Sequence, residues 1–130
     1  MTEVHTPAGP TFAGGKNIAM KVPPDQYEST VGFYRDLLGL EQIGGPAGDA
    51  VGFVFGANNL WIDRVDAMSQ AEVWLEIVTD DTARAAEALA GAGVPRRDEI
   101  EDLGSGFDGY WIASPCSIIH LVDGNAQSWE

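Results

Sequence analysis

Acidic and aromatic side chains alternate over residues 72–76, so that Glu72, Trp74 and Glu76 share one face of an extended chain and Val73, Leu75 and Ile77 the other. Burying an unpaired carboxylate is costly, so Glu72 and Glu76 must meet water, a cation or a hydrogen-bond donor. A water-filled cavity meets that condition, and beside an indole face it would suit a small organic ligand, aromatic or cationic. His120, set among Ile118, Ile119 and Leu121, reads equally as a satisfied interior histidine and as a functional one. With Asp63 or Glu76 as partner its pKa would rise, and the pair would serve as a structural tie or as acid and base. Trp61 and Trp74, with Phe53 or Phe55, read as core or as the stacking walls of a pocket.

Other residue types exclude chemistry more than they offer it. Cys116 is the only cysteine and cannot form an intrachain disulfide. No histidine nearby marks it as a nucleophile, so it reads as a small strand-lining residue. The loop 98–109 carries Gly104, Ser105, Gly106 and Phe107, but no lysine comes after it and no helix opens there, so it cradles no phosphate and reads as a flexible rim. Arg96 and Arg97 beside Asp98, Glu99 and Glu101 form a solvated cluster. With 20 acidic against 7 basic side chains, a formal charge of −13 and a pI near 4.2, the chain repels nucleic acid. The same field attracts cations, although acidic surfaces also serve solubility alone.

The elements that must position these residues come in two similar halves. In the first, Ile18, Met20 and Val22 alternate with Asn17, Ala19 and Lys21 as a strand with one apolar face. Pro23 and Pro24 end it, Asp25 caps a helix with Glu28 three residues on, and Tyr27, Val31, Tyr34 and Leu38 form its stripe, widened by Phe33 and Leu37. Gly39 offers a left-handed stop. Strands are expected at 41–43, 51–55 and 60–65. About 55 residues after the first strand the design returns, with Asp80 or Asp81 as cap, a helix through Ala85, Ala88, Leu89 and Ala92, and strands at 95–97, 110–113 and 117–122. Residues 1–15 read as a flexible lead-in that includes His5, and 124–130 as a tail carrying Trp129. At 130 residues the chain suits one core, and with neither a membrane-length apolar run nor a signal peptide it reads as cytoplasmic.

The motif FYRDLLGL at 33–40, with the repeat of strand, helix and three strands, resembles the vicinal oxygen chelate superfamily, which includes glyoxalase I, ring-cleaving extradiol dioxygenases and bleomycin-resistance proteins. The resemblance runs from about Lys16 to Asp123. It implies an α+β fold in which two βαβββ modules, 16–66 and 71–123, form a curved, half-barrel mixed sheet with helices on the outer face. In the metal-dependent members, each module supplies two ligands from its first and last strands, and carried over by position these fall at Asn17, Asp63, Trp74 and His120. Asp63 and His120 can coordinate, Asn17 is a weak donor and Trp74 cannot ligate, whereas a catalytic zinc needs about three ligands and a non-haem iron two histidines and a carboxylate. The resemblance therefore implies a metal-independent member with no cofactor. It implies a homodimer that holds a small organic ligand at Asn17, Trp61, Asp63, Glu72, Trp74, Glu76 and His120, with neither nucleic acid nor membrane as partner. Two alternatives stand beside it. One is a glyoxalase-like lyase or isomerase using nickel, zinc or manganese, with His120, Asp63 and Glu76 as catalytic candidates. The other is a ligand-free interaction module, should Trp74 and its neighbours fill the cavity.

Overall fold

The computed structural model describes residues 9–44 and 51–124, so His5, the glycine-rich turn at 45–50 and Trp129 lie outside the described residues. Among the described residues the fold is α+β, with two α-helices and a mixed seven-stranded sheet. The described chain forms two compact units, residues 16–75 and residues 76–124 with 9–15, and strands β1 (Phe12–Val22) and β5 (Glu72–Thr79) run through both. Among the described residues no helix is long and apolar enough to cross a membrane.

In the first unit the strand order is β2-β3-β4-β1, with β2 (Gln42–Ile43), β3 (Val51–Phe55) and β4 (Asn58–Arg64) antiparallel in sequence and β4 parallel to β1. The period-two pattern does what it must: Ile18, Met20 and Val22 meet Leu60, Ile62 and Phe53 in one cluster covered by Tyr27, Val31 and Tyr34. Helix α1 (Pro24–Gly32) supplies Tyr27 and Val31. Its N-cap is Pro23 and not Asp25, which sits in the first turn where its charge still favours the helix dipole. The helix then widens into a π-helical turn (Phe33–Leu37), sealed by a bond of 3.0 Å from the Leu38 N–H to the Phe33 carbonyl. One extra residue in that turn rotates the end of the helix, so the expected stripe stops at Tyr34: Phe33 and Leu38 are exposed, and Leu37 is 74% exposed. Gly39, at φ +66°, terminates the helix as anticipated.

In the second unit the order is β5-β7-β6, with β6 (Gly109–Ala113) antiparallel to β7 (Ile119–Gly124). Helix α2 (Thr82–Gly91) is capped by Asp81, whose carboxylate accepts the Arg84 N–H at 3.0 Å. Ala86 and Leu89 cover Tyr110, Ile112, Val122 and Ile77. The strand expected at 95–97 shrinks to one bridge, Arg96 to Ile112, because the chain turns at once into a short 3-10 helix (Asp98–Ile100). Two other expectations change. β1 begins at Phe12, since Thr11 is tied by the Thr79 hydroxyl, which donates to its carbonyl at 2.8 Å, and by the Asp80 carboxylate, which accepts its N–H at 2.9 Å. Cys116 lies exposed in a turn and not on a strand.

Candidate functional site on the helix-free face

The parallel register of β1 and β4 pairs Asn17 with Asn59, Ala19 with Trp61 and Lys21 with Asp63. Because their neighbours Ile18, Met20, Leu60 and Ile62 turn toward α1, these residues occupy the opposite face, away from the one α-helix among the unit's described residues. Asn17 organises one end. Its side-chain oxygen accepts the Trp61 indole N–H at 2.8 Å and an amide proton of Asn59 at 3.2 Å. Gly52, opposite Trp61 on β3, makes room for the ring: a Cβ there would stand 2.6 Å from the indole Cε3.

The other end holds a charge. Lys21 donates from Nζ to the Asp63 carboxylate at 2.8 Å, and its ammonium lies 4.4 Å from the centre of the Trp74 ring. The lysine side chain is 4% exposed and that of Asp63 31%. Trp74 in turn donates its indole N–H to the Glu72 carboxylate at 2.9 Å. Taking an ammonium out of water is repaid only where carboxylate and ring are well placed, and a well-packed aliphatic residue would serve stability as well or better. Lys21 is the site residue that sequence reasoning misses. Its signal is present, since Lys21 lies on the same strand face as Asn17, in parallel with Asp63.

Of the anticipated residues, the first unit thus brings Asn17 to Trp61, sets Asp63 and Trp74 against Lys21, and places Glu72 on the Trp74 indole N–H. Glu76, in the second unit, is buried on the same face of β5 as Trp74, and its carboxylate lies against Gly15, where a Cβ would collide with it. His120 is a correction. The register places it opposite Ile112 and two residues from Val122, both of which pack toward α2, so it faces the helix side and not the helix-free face. Its Nδ1 lies 3.0 Å from the Ile118 carbonyl. The helix-free positions of β7 are Ile119, Leu121 and the fully buried Asp123.

Matching the two hairpins by register explains the difference. Asp123 falls where Asp63 does, and His120 where Leu60 does. Each hairpin also buries one indole on this face but from opposite strands: Trp61 faces Gly52 in the first, and Trp111 faces Leu121 in the second. The loop at 98–109, expected as a rim, is anchored there, with the Trp111 indole donating to the Glu101 carbonyl at 2.9 Å and the Trp111 N–H to the Asp98 carboxylate at 3.2 Å.

Neither a family model nor a curated protein matches the sequence. Among solved structures, the Mn(II)-bound glyoxalase from Novosphingobium aromaticivorans superposes with a TM-score of 0.59 at 18% identity, over 85% of this chain and 38% of that one. An extradiol ring-cleaving dioxygenase from B. fuscum gives 0.62 at 16% identity, over 98% of this chain and 37% of that one. The fold is that of the vicinal oxygen chelate proteins. A glyoxalase/bleomycin resistance protein/dioxygenase superfamily member from Vibrio splendidus, of similar size, gives 0.53 at 11% identity over 81% of this chain and 95% of its own. The chain therefore spans less than two fifths of the first two neighbours.

These neighbours correct one expectation. A Mn(II)-bound glyoxalase has this fold, so the departure of the four carried-over positions from a chelating set does not make the chain a member that needs no cofactor. As they stand, the described donors do not fit a divalent ion. Asp63 already meets an ammonium, Asn17 and Glu72 accept indole protons, and among the described residues no three His, Cys, Asp or Glu side chains form a metal-binding group. No chemical step is assigned to a metal.

Proposed function

We propose that the helix-free face of the first unit, built on Asn17, Lys21, Trp61, Asp63, Glu72 and Trp74, binds a small organic ligand. The observation that carries this reading is the Lys21–Asp63 pair beneath Trp74, a charged arrangement on the face that the vicinal oxygen chelate fold leaves clear of helices. Burying an ammonium there adds little to stability, and pre-placed polar groups beside aromatic walls are what a small-molecule site requires. Glu76 and His120 both lie in the second unit and are not part of this reading. Pairing of two copies is part of the same proposal and is read out by sedimentation.

Tryptophan emission tests it. A panel of small aromatic compounds titrated into the protein gives a saturable change for at least one member, weakened in Trp74→Phe and in Trp61→Phe. No saturable change, or one that both variants leave untouched, refutes the reading.

A metal-dependent lyase or isomerase is the second reading, favoured by the fold shared with the Mn(II)-bound glyoxalase. Elemental analysis of protein purified without chelator decides it: stoichiometric manganese, nickel or zinc supports a metal enzyme, and its absence after supplementation with each removes that reading.

A further inference from the structure

We infer that two copies of this chain meet at the C-terminal end of α1 and its π-helical turn, through an apolar patch of Phe33, Leu37, Leu38 and Phe55. This rests on the pairing of two copies proposed above and gives it a surface, and it is independent of any ligand.

Three observations carry it. Of the eight large apolar side chains exposed among the described residues, these four lie together: Phe33 is 44% exposed, Leu37 74%, Leu38 48% and Phe55 45%. The Tyr34 ring joins two of them, edge-on to Phe33 at 5.0 Å and to Phe55 at 6.4 Å. Leu37 and Leu38 stand one π-helical turn beyond Phe33. Next, the exposure follows from the backbone. A regular helix would carry Leu38 onto the stripe of Tyr27, Val31 and Tyr34, and the extra residue of the π turn sends it outward instead. A monomer gains nothing by showing these side chains to water, whereas a partner that covers them removes apolar surface from it. Finally, charge selects the partner. Segments 29–40 and 51–62 hold a single base and a single acid, Arg35 and Asp36, bonded to each other at 2.9 Å and 3.0 Å. The whole chain carries −13, so two copies repel wherever acids face each other, and this patch is neutral ground on which they can approach. A basic partner would be drawn to acidic faces and not to this one. The four side chains expose on the order of 400 Å² per copy, about half of the roughly 800 Å² that each member of a standard interface contributes, and the groups around them supply the rest. In a two-fold contact residue i of one copy meets j of the other, so Arg35 and Asp36 can pair across the rim as they do within it.

Sedimentation velocity over a concentration series, at low and high salt, tests it. Wild type should form a dimer, and more of it as salt screens the charge of each copy. Leu37→Glu, present twice in a two-fold contact, should weaken the dimer about 30-fold or more, and Phe33→Ser about tenfold. Phe12→Glu adds the same charge at an exposed position of the other unit and should leave the dimer unchanged. Because Leu37 is mostly in water, Leu37→Glu should melt as wild type does at concentrations where both are monomeric. Should it fail to fold, Phe33→Ser decides. A dimer that Leu37→Glu and Phe33→Ser leave intact, that Phe12→Glu weakens equally, or that dissociates as salt is added overturns this surface and leaves the pairing standing. Monomer at every concentration and salt, which would leave the patch to a different partner, overturns both, while the panel titration judges the ligand reading by itself.

Discussion

Replacing Asp63 by alanine removes the carboxylate from an ammonium that is 4% exposed, whereas replacing Lys21 by methionine leaves a carboxylate that is 31% exposed. The two halves of one ion pair should therefore differ sharply in their effect on stability. Removing one partner of a fully buried pair costs about 3–5 kcal/mol. Because water already reaches Asp63 and can enter the space it leaves, the Asp63→Ala cost is set lower, at about 2–3 kcal/mol. Methionine fills nearly the volume of lysine and keeps its contact with Trp74, so Lys21→Met should cost less than about 1 kcal/mol. For 130 residues the unfolding entropy is about 0.27 kcal/mol per degree, so Asp63→Ala should lower the melting temperature by roughly 7–11 °C. The double variant should recover most of that loss, because the ammonium that Asp63 faces is gone as well. Urea unfolding at neutral pH measures all four proteins. Equal costs for the two single variants, or a double variant as unstable as Asp63→Ala, would refute the claim that Lys21 is the desolvated member.

Three other outcomes rest on particular contacts. Gly52→Ala drives a Cβ to 2.6 Å from a Trp61 ring whose N–H is pinned to Asn17, so it should cost about 1–3 kcal/mol and alter the near-ultraviolet dichroism of the indole. Trp111→Phe deletes the donor to the Glu101 carbonyl, and amide exchange over residues 98–104 should quicken while α2 keeps its protection. Burial raises the Tyr110 phenol above its ordinary value of 10.0, with its hydroxyl donating to the Thr82 carbonyl at 2.9 Å. The folded chain thus prefers the protonated phenol, and this contribution to stability is whole below pH 10 and is lost as pH rises through the folded value. Ultraviolet titration should show one tyrosine ionising late, and Tyr110→Phe should remove that step.

Where a strand is buried on one face only, its sequence states which residues turn inward. β1 and β4 are such strands, and the helix-facing set of Ile18, Met20 and Val22 against Asn17 is legible from alternation alone. β7 is apolar on both faces, with Ile119 and Leu121 on one side and Val122 on the other, so alternation carries no phase and places His120 on the wrong side. Only the pairing with β6 resolves it. The π-helical turn is hidden for a related reason, since Phe33, Leu37 and Leu38 fit a regular helical stripe and nothing local marks the extra residue. Lys21 escapes notice because a lone lysine on a strand normally reaches solvent, and its burial depends on Asp63 and Trp74, which lie 42 and 53 positions further along.

The indole N–H resonances report most directly on where a ligand lies. With the tightest compound of the aromatic panel added, those of Trp61 and Trp74 should move together with the backbone amides of Asn17 and Asp63, while that of Trp111 stays in place. Movement confined to Trp111, or to the amides of α1 and α2, would contradict a site on the helix-free face of the first unit.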